Sequence, residues 1–244
     1  ILPLKGTIGN ITFYKSKDGY MAREKGSLNA ERIANDPAFA RTRENGAEFG
    51  RAGQAGKVLR TALRSLLLNT ADGRMLSRLT KEMMKVIQAD AVNERGLRNV
   101  IDGEAALLEG FDFNAGSKLS TSLFAPYTTN IDRVSGELSI SIPSFVPVNM
   151  VAAPSGATHF KIVSAGVEID FENKTYVVDF GNSNSLPINS TATAVLNLSH
   201  QVTANSTKPL FLAMGIEFYQ EVNGNQYSLK NGAFNALSLV KVEG

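Results

Sequence analysis

The segment Glu137-Leu138-Ser139-Ile140-Ser141-Ile142 alternates between polar and aliphatic side chains without interruption. Successive side chains of a β-strand point to opposite faces, so this alternation predicts a strand with one buried and one exposed face. The segment Val195-Leu196-Asn197-Leu198-Ser199 repeats the pattern. Such strands are typical of antiparallel sheets, which pack one face on a core and leave the other in water.

The C-terminal half of the chain contains further strand-like segments. We predict strands over residues 111–115, 136–142, 159–171, 175–180, 193–199, 209–222 and 234–242. Residues 171–175 and 222–226 have the composition of hairpin turns, and the second turn contains Asn223-Gly224, a pair that readily adopts positive φ angles. Regularly spaced strands separated by turns predict an antiparallel β-sandwich of immunoglobulin-like size.

Upstream of residue 110 the periodicity is that of helices. Apolar residues recur in steps of three and four from Phe49 to Leu66, which predicts a helix with one apolar stripe and Phe49 as a core anchor. The same reasoning predicts a second helix over about residues 76–90 and a third over 94–109.

The first of these helices is unusually rich in glycine, at positions 46, 50, 53 and 56. Each glycine lowers helix stability by about 1 kcal/mol relative to alanine. We interpret the glycines as a surface that another backbone approaches closely, so that Gly53→Leu would lower stability or assembly. A loop or kinked helix over residues 44–56 is the alternative.

Two extended segments at the N-terminus, over residues 6–14 and 20–25, flank the turn signal Asp18-Gly19 and predict a β-hairpin. An isolated hairpin is marginal in water, so its apolar face, with Ile11 and Phe13, needs a partner. We therefore predict an α+β fold with an N-terminal β-hairpin, a central segment of two to three helices and a C-terminal antiparallel β-sandwich. The predicted domains are residues 1–110 and 111–244.

Charge is distributed unevenly along the chain. Residues 1–100 contain 18 lysines and arginines against 10 aspartates and glutamates, whereas residues 101–244 contain 7 against 13. The two parts therefore carry net charges of +8 and −6 within the total of +2. A basic helical half and an acidic β half favour head-to-tail docking of copies, or binding of the basic half to a polyanion.

The sequence contains no recognisable catalytic apparatus. It has no cysteine, and its two histidines, His159 and His200, are far apart along the chain and outside any metal-binding motif. Glu168 and Asp170 share one side of a strand, where a solvated sheet face is a simpler interpretation than a cation site. We predict a non-enzymatic protein without catalytic, cofactor or metal-binding residues, without an evident small-molecule substrate and without an apolar run of the ~18 residues that a membrane span needs.

The segment from Phe39 to Arg51 is the most densely charged part of the chain. Its arginines could contact phosphates, or pair with Glu44 and Glu48 within the segment or across a subunit contact. They could also form a solvated face or pair with the acidic β half of a neighbouring copy. Few aromatic residues accompany them, so nucleic-acid binding has only weak support. Reversal of Arg41 and Arg43 to glutamate would reduce self-association if they meet an acidic neighbour. Our predicted assembly contacts are Ile11, Phe13, Arg41, Arg43, Glu44, Phe49, Gly53 and Gly56.

Three segments carry a family resemblance: GxIGxIxFYK over residues 6–15, FARTREN over 39–45 and QEVNGxxYSLKNGA over 220–233. Together they resemble a family of uncharacterised proteins from Bacteroidota. The resemblance implies a bacterial source and a single intact unit, and it implies no activity.

These observations favour a structural subunit that self-assembles with its own copies into a filament, tube or shell, located at the extracellular surface or in an assembled particle rather than in the cytoplasm. One alternative is a cell-surface module that binds a glycan or a protein through the sandwich loops. Another is a nucleic-acid-associated or virion protein that uses the basic half. An enzyme whose residues are scattered along the sequence also stays open.

Overall fold

The computed structural model of the chain describes residues 4–16, 18–24, 30–70, 72–229 and 233–244. Its α+β fold, with a small N-terminal sheet, central helices and C-terminal antiparallel sheets, confirms the predicted fold class. The chain divides into two compact units, residues 1–46 and 47–244, and not at the predicted position near residue 110. The reason is that the helices after residue 47 share one hydrophobic core with the strands that follow residue 110.

The first unit contains a three-stranded antiparallel meander and a short helix, with the bounds β1 Gly6–Ile8, β2 Ile11–Ser16, β3 Gly19–Glu24 and α1 Ala30–Asn35. The predicted hairpin is formed by β2 and β3, although Lys17 in its turn lies outside the described residues. The predicted single strand over residues 6–14 is wrong. Gly9 adopts a φ of 59° and, with Asn10, reverses the chain between β1 and β2.

A long helix follows a capped 3-10 turn over Pro37–Phe39, in which the Asp36 side chain accepts a hydrogen bond from the Ala38 N–H. The helices have the bounds α2 Ala40–Ala62, α3 Arg64–Leu67, α4 Met75–Gln88, α5 Leu119–Ser122 and α6 Pro147–Met150. The glycines of α2 do not break it, so the loop alternative is wrong.

The predicted helix over residues 94–109 is also wrong, because only Ala105–Leu108 form a short 3-10 helix. Asp90 explains the difference. Its carboxylate accepts hydrogen bonds from the backbone N–H groups of Val92, Asn93 and Asn99, and such side-chain bonds compete with helical ones.

The strands of the second unit have the bounds β4 Thr128–Asp132, β5 Glu137–Ile142, β6 His159–Asp170, β7 Thr175–Asn182, β8 Leu186–Pro187, β9 Leu196–Gln201, β10 Leu210–Val222, β11 Asn225–Ser228 and β12 Ala236–Glu243. A large sheet has the order β11-β10-β6-β7, with β12 on β10 and β8 on β6, and a small sheet has the order β4-β5-β9. The predicted strand over residues 111–115 is reduced to the bridge between Asp112 and Ser238, flanked by backbone hydrogen bonds of Phe111 and Phe113 to β12. The Asn114 side chain donates to the Asn235 carbonyl at 2.8 Å, where a continuing strand would need backbone pairing.

The large sheet is the middle of three layers within residues 47–244. One face packs on the small sheet, with Phe160 and Ile162 in a core shared with Leu138 and Ile140. The opposite face packs on α2 and α4, and its core residues include Val167. Strands β6 and β10 are therefore buried on both faces, which explains their nearly continuous apolar sequence.

The glycines of α2 have different surroundings. A Cβ atom at Gly56 would lie 3.5 Å from the Leu79 side chain of α4, which is ordinary contact. A Cβ atom at Gly46, Gly50 or Gly53 would meet no atom within 4 Å. The expected close approach at Gly53 is therefore not found among the described residues of this chain, and we correct the expectation that a side chain there disturbs packing within the chain.

We accordingly predict that Gly53→Ala raises the free energy of unfolding by about 1 kcal/mol, because alanine has the higher helix propensity and the added methyl group meets open space. Chemical denaturation followed by circular dichroism measures this change. A decrease in stability would mean that another surface occupies the space beside Gly53.

Candidate functional site

The meander carries two of the predicted contact residues. The register pairs Ile8 with Ile11, Phe13 with Ala22 and Lys15 with Tyr20, so these side chains share one face. We call Ile8, Ile11, Phe13, Tyr20 and Ala22 the apolar face of the meander. Ile8 is 67% exposed and Ile11 is 45% exposed. Every residue in β1, β2 and β3 is exposed or half-buried, so this sheet has no buried face of its own.

The opposite face of the meander is more polar and makes contacts within the sheet. The hydroxyls of Thr7 and Thr12 are 3.1 Å apart, and the Arg23 guanidinium lies 5.7 Å from the centre of the Tyr14 ring. These contacts satisfy the polar side chains on that face. On the apolar face, Lys15 Nζ lies 5.8 Å from the centre of the Tyr20 ring, whereas the aliphatic side chains of Ile8 and Ile11 are left exposed.

Two arginines of the charged segment have partners inside the first unit. Arg41 forms an ion pair with Glu44 at 3.0 Å, one turn along α2. Arg43 donates to the backbone carbonyls of Ile33 at 2.8 Å and Asp36 at 2.9 Å, at the end of α1. A guanidinium commonly satisfies carbonyl groups at a helix C-terminus in this way. The prediction that Arg43 contacts another copy consequently gains no support from its geometry.

The remaining predicted contacts lie on α2. Phe49 is 61% exposed, and its interpretation as a core anchor is wrong. The buried stripe passes through Glu48 instead, followed by Ala52 and Ala55. Gly53 is open on the helix surface, whereas Gly56 is covered by α4 of the same chain. Only Phe49 and Gly53 of this group are therefore accessible to a second molecule.

The roles of Glu48 and Arg51 were not predicted from the sequence. The Glu48 carboxylate accepts a hydrogen bond from the Gly96 N–H at 2.8 Å, and Arg51 donates to the Gly96 carbonyl at 2.6 Å. Together they fix the loop after α4 on α2. A signal existed, because Glu48 continues the three- and four-residue spacing of the buried stripe.

A buried serine–histidine pair has the arrangement of an activated nucleophile. Ser164 Oγ on β6 lies 2.8 Å from His200 Nε2 on β9, and the negative charge of Asp179 on β7 acts on the imidazole. However, His200 is 1% exposed and Ser164 is fully buried, so a substrate has no access to the hydroxyl. The pair links the two sheets and is not a catalytic site in this conformation.

A polar cleft of the second unit has a volume of about 430 Å³ and is bordered by α4 and residues 107–118. Its central guanidinium, that of Arg78, is already bound to Asp72 at 2.6 Å and to the Asp112 carbonyl at 2.7 Å. Burial raises the pKa of the Asp112 carboxyl above its usual value, and burial also raises the pKa of the neighbouring Tyr127. This cleft is the feature that best fits the binding-module alternative.

The described residues contain no group of three or more histidine, aspartate or glutamate side chains that could hold a metal ion. Glu168 and Asp170, which share a side of β6, are both engaged elsewhere. Glu168 accepts a hydrogen bond from the Thr203 N–H at 3.1 Å, and Asp170 pairs with Lys208 at 2.7 Å. The Asn173 N–H that donates to Asp170, together with the Lys208 ammonium, holds the pKa of Asp170 well below its usual range.

Comparisons of this chain with protein-family models, with curated proteins and with solved structures find no match. The resemblance to a Bacteroidota family therefore stays a prediction, and function must be argued from the geometry. Within the described part of the chain, no helix is both long and apolar enough to cross a bilayer.

Proposed function

We propose that this protein is a non-enzymatic structural subunit that self-assembles, and that the apolar face of the meander is a contact between copies. The observation that carries the proposal is a sheet of three strands in which none of the described residues is buried. A small sheet without a covered face recovers too little free energy to offset the conformational entropy of ordering it. We infer that assembly covers it.

The free energy available from this contact is substantial. Fully burying an aliphatic side chain contributes about 1.5–3 kcal/mol relative to leaving it in water, and Ile8 and Ile11, at 67% and 45% exposure, can still gain roughly half of this. Tyr20 is also half-exposed and adds a large aromatic surface. The groove of about 700 Å³ beside Ile8, Ile11 and Ala22 gives a partner side chain a place to enter.

The charges on this face favour a second copy as the partner. Lys15 lies opposite Tyr20 near one end of the face, and Glu24 lies opposite Ile11 near the other end. In a two-fold, face-to-face contact with the strands antiparallel, Lys15 of each copy meets Glu24 of the other while the apolar centres pack together. Such self-complementarity is the property that an isologous interface requires. Filaments or shells would need one further contact, for which Phe49 and Gly53 of α2 stay accessible.

We predict that Ile11→Lys converts the assembled protein to monomers, because it places a charge within the apolar face, beside Ile8. Size-exclusion chromatography with light scattering measures the mass, and negative-stain electron microscopy shows the particles. Thr12→Lys is the matched control, since its side chain lies on the opposite face of the same strand. It should leave the mass unchanged.

Exchanging the charges of Lys15 and Glu24 tests whether the partner is a second copy of the chain. Glu24→Lys should weaken association, and the double variant Lys15→Glu/Glu24→Lys should restore it, because the complementary pair is then rebuilt with reversed signs. A monomeric wild-type protein, or an Ile11→Lys variant with the wild-type mass, would contradict the proposal.

A further inference from the structure

A second surface, independent of the assembly contact, lies at the C-terminal end of α2. We call it the basic cleft; its volume is about 360 Å³, and its lining residues are Lys57, Arg60, Thr61, Arg64, Leu67, Leu68 and Met75. They belong to α2, α3 and the start of α4, all within residues 47–244.

The cations of this cleft have no compensating charge. Lys57, Arg60 and Arg64 follow one another at three- and four-residue spacing, which brings them to the same side of the helical segment. Within the described part of the chain, none of the three forms an ion pair or a side-chain hydrogen bond, and no acidic side chain lines the cleft. Other surface cations do find carboxylates, as Lys85 does with Glu82 at 2.6 Å. Unrelieved repulsion between neighbouring cations favours an anionic ligand.

The cleft also exposes apolar surface next to the cations. Leu68 is 73% exposed, while Leu67 and Met75, which also line the cleft, are buried. Leu76 at the start of α4 adds a further exposed leucine. A phosphate ion or a nucleic-acid backbone would neutralise the cations but would leave Leu68 in water, and no aromatic ring lines the cleft to stack on a base. The ligand that satisfies both features carries an anionic group on an apolar body.

We propose that the basic cleft binds an anionic amphiphile, with its phosphate or carboxylate head group at Lys57, Arg60 and Arg64 and its hydrocarbon chain along Leu68. Basic residues beside protruding leucines combine electrostatic attraction to anionic lipid with insertion of apolar side chains. The ligand is thus a lipid, met either in a bilayer or as a single molecule.

Co-sedimentation of the full chain with vesicles tests this proposal. We expect binding to vesicles that contain phosphatidylglycerol and none to vesicles of phosphatidylcholine alone. Arg60→Glu/Arg64→Glu should reduce the apparent affinity about tenfold or more, since each basic residue contributes to attraction by an anionic surface. Leu68→Ser should weaken vesicle binding while it retains every charge.

The matched control is Lys81→Glu/Lys85→Glu, which makes the same change in net charge on α4, where Lys81 lines the other cleft. It should bind like the wild type, and circular dichroism should show that both double variants are folded. Calorimetric titration with dodecyl phosphate below its micelle concentration distinguishes a single bound lipid molecule from a bilayer surface. Binding of this monomer supports a single-lipid site, and binding of vesicles alone supports a bilayer surface.

Three results would overturn the proposal. Equal binding to neutral and anionic vesicles would contradict the electrostatic attraction. Equal losses of binding in the two double variants would show that the basic cleft is not the binding site. Retention of an oligonucleotide, with Leu68→Ser indistinguishable from the wild type, would show a surface for polyanions without an apolar requirement.

Discussion

Gly215→Ala is expected to lower the free energy of unfolding by roughly 3 kcal/mol, at the upper end of the range for overpacked cores. Gly215 lies in the middle of β10, which is buried on both faces. A Cβ atom there would lie 2.4 Å from the Ala236 carbonyl oxygen on β12 and 3.2 Å from a Val163 methyl group on β6. Backbone cannot move aside as a flexible side chain can, so the strand ladder itself must shift.

Gly53→Ala is the matched control for this prediction, because the same methyl group is added at an open site in α2. The two variants should change stability in opposite directions in the same denaturation experiment. An unchanged denaturation midpoint for Gly215→Ala would mean that β10 and β12 tolerate a local separation, and would contradict the tight packing of the large sheet.

The second large effect is a loss of stability in mild acid, caused by His200. The imidazole is buried between the two sheets, its Nδ1 atom has no hydrogen-bond partner, and Gly166 and Gly181 leave the space that the ring occupies. Burial lowers the pKa of His200, and the negative charge of Asp179 only partly opposes this lowering. The folded state therefore favours the neutral ring.

The direction of this pH effect follows because the pKa of His200 is lower in the folded chain than in the unfolded chain. Above about pH 6.5, the usual pKa of histidine, both the folded and the unfolded chains carry a neutral ring, and His200 adds no pH dependence. As the pH falls below this value, the unfolded chain takes up a proton that the folded chain resists. The free energy of unfolding should then fall by up to about 1.4 kcal/mol per pH unit.

Urea denaturation between about pH 7 and pH 5 measures this slope, above the range in which most carboxylates titrate. His200→Gln offers a hydrogen-bonding group to Ser164 without a titrating ring, so its stability should change less over this interval. His159→Gln retains His200 and should show the same decline as the wild type. A wild-type slope that survives in His200→Gln would assign the acid sensitivity to other groups.

Local patterns were sufficient for much of the fold. The alternation in residues 137–142 identified β5 and its buried face, and Asn223-Gly224 identified a turn in which both residues adopt positive φ. The buried stripe of α2 from Ala52 onward was also readable. Each of these features depends on residues that are only a few positions apart in the sequence. Residue spacing and turn composition are informative over this distance.

The errors occurred where local preference competed with more distant contacts. The stripe of α2 predicted a buried Phe49, whereas the buried position is Glu48, because Gly96 supplies a backbone N–H for its carboxylate. Residues 94–104 have helix-like spacing, but the Asp90 carboxylate accepts a hydrogen bond from the Asn99 N–H, and this bond competes with a helical one. Neither partner can be identified from spacing alone.

The candidate surfaces divide in the same way. Alternation alone placed Ile11 and Phe13 on one face, and the tertiary structure added that nothing in the described meander is buried. The basic cleft required the structure, because the apolar floor of Leu67 and Met75 comes from segments on either side of a turn.

The sequence by itself determined most of the element types, the split charge and the apolar face of the N-terminal strands, since these follow from residue order and side-chain chemistry. Only the tertiary structure decided that the helices of residues 47–110 and the following strands share one core, with the large sheet between two layers. A continuous apolar strand indicates burial on both faces but not what covers each face. That choice depends on packing between segments more than a hundred residues apart.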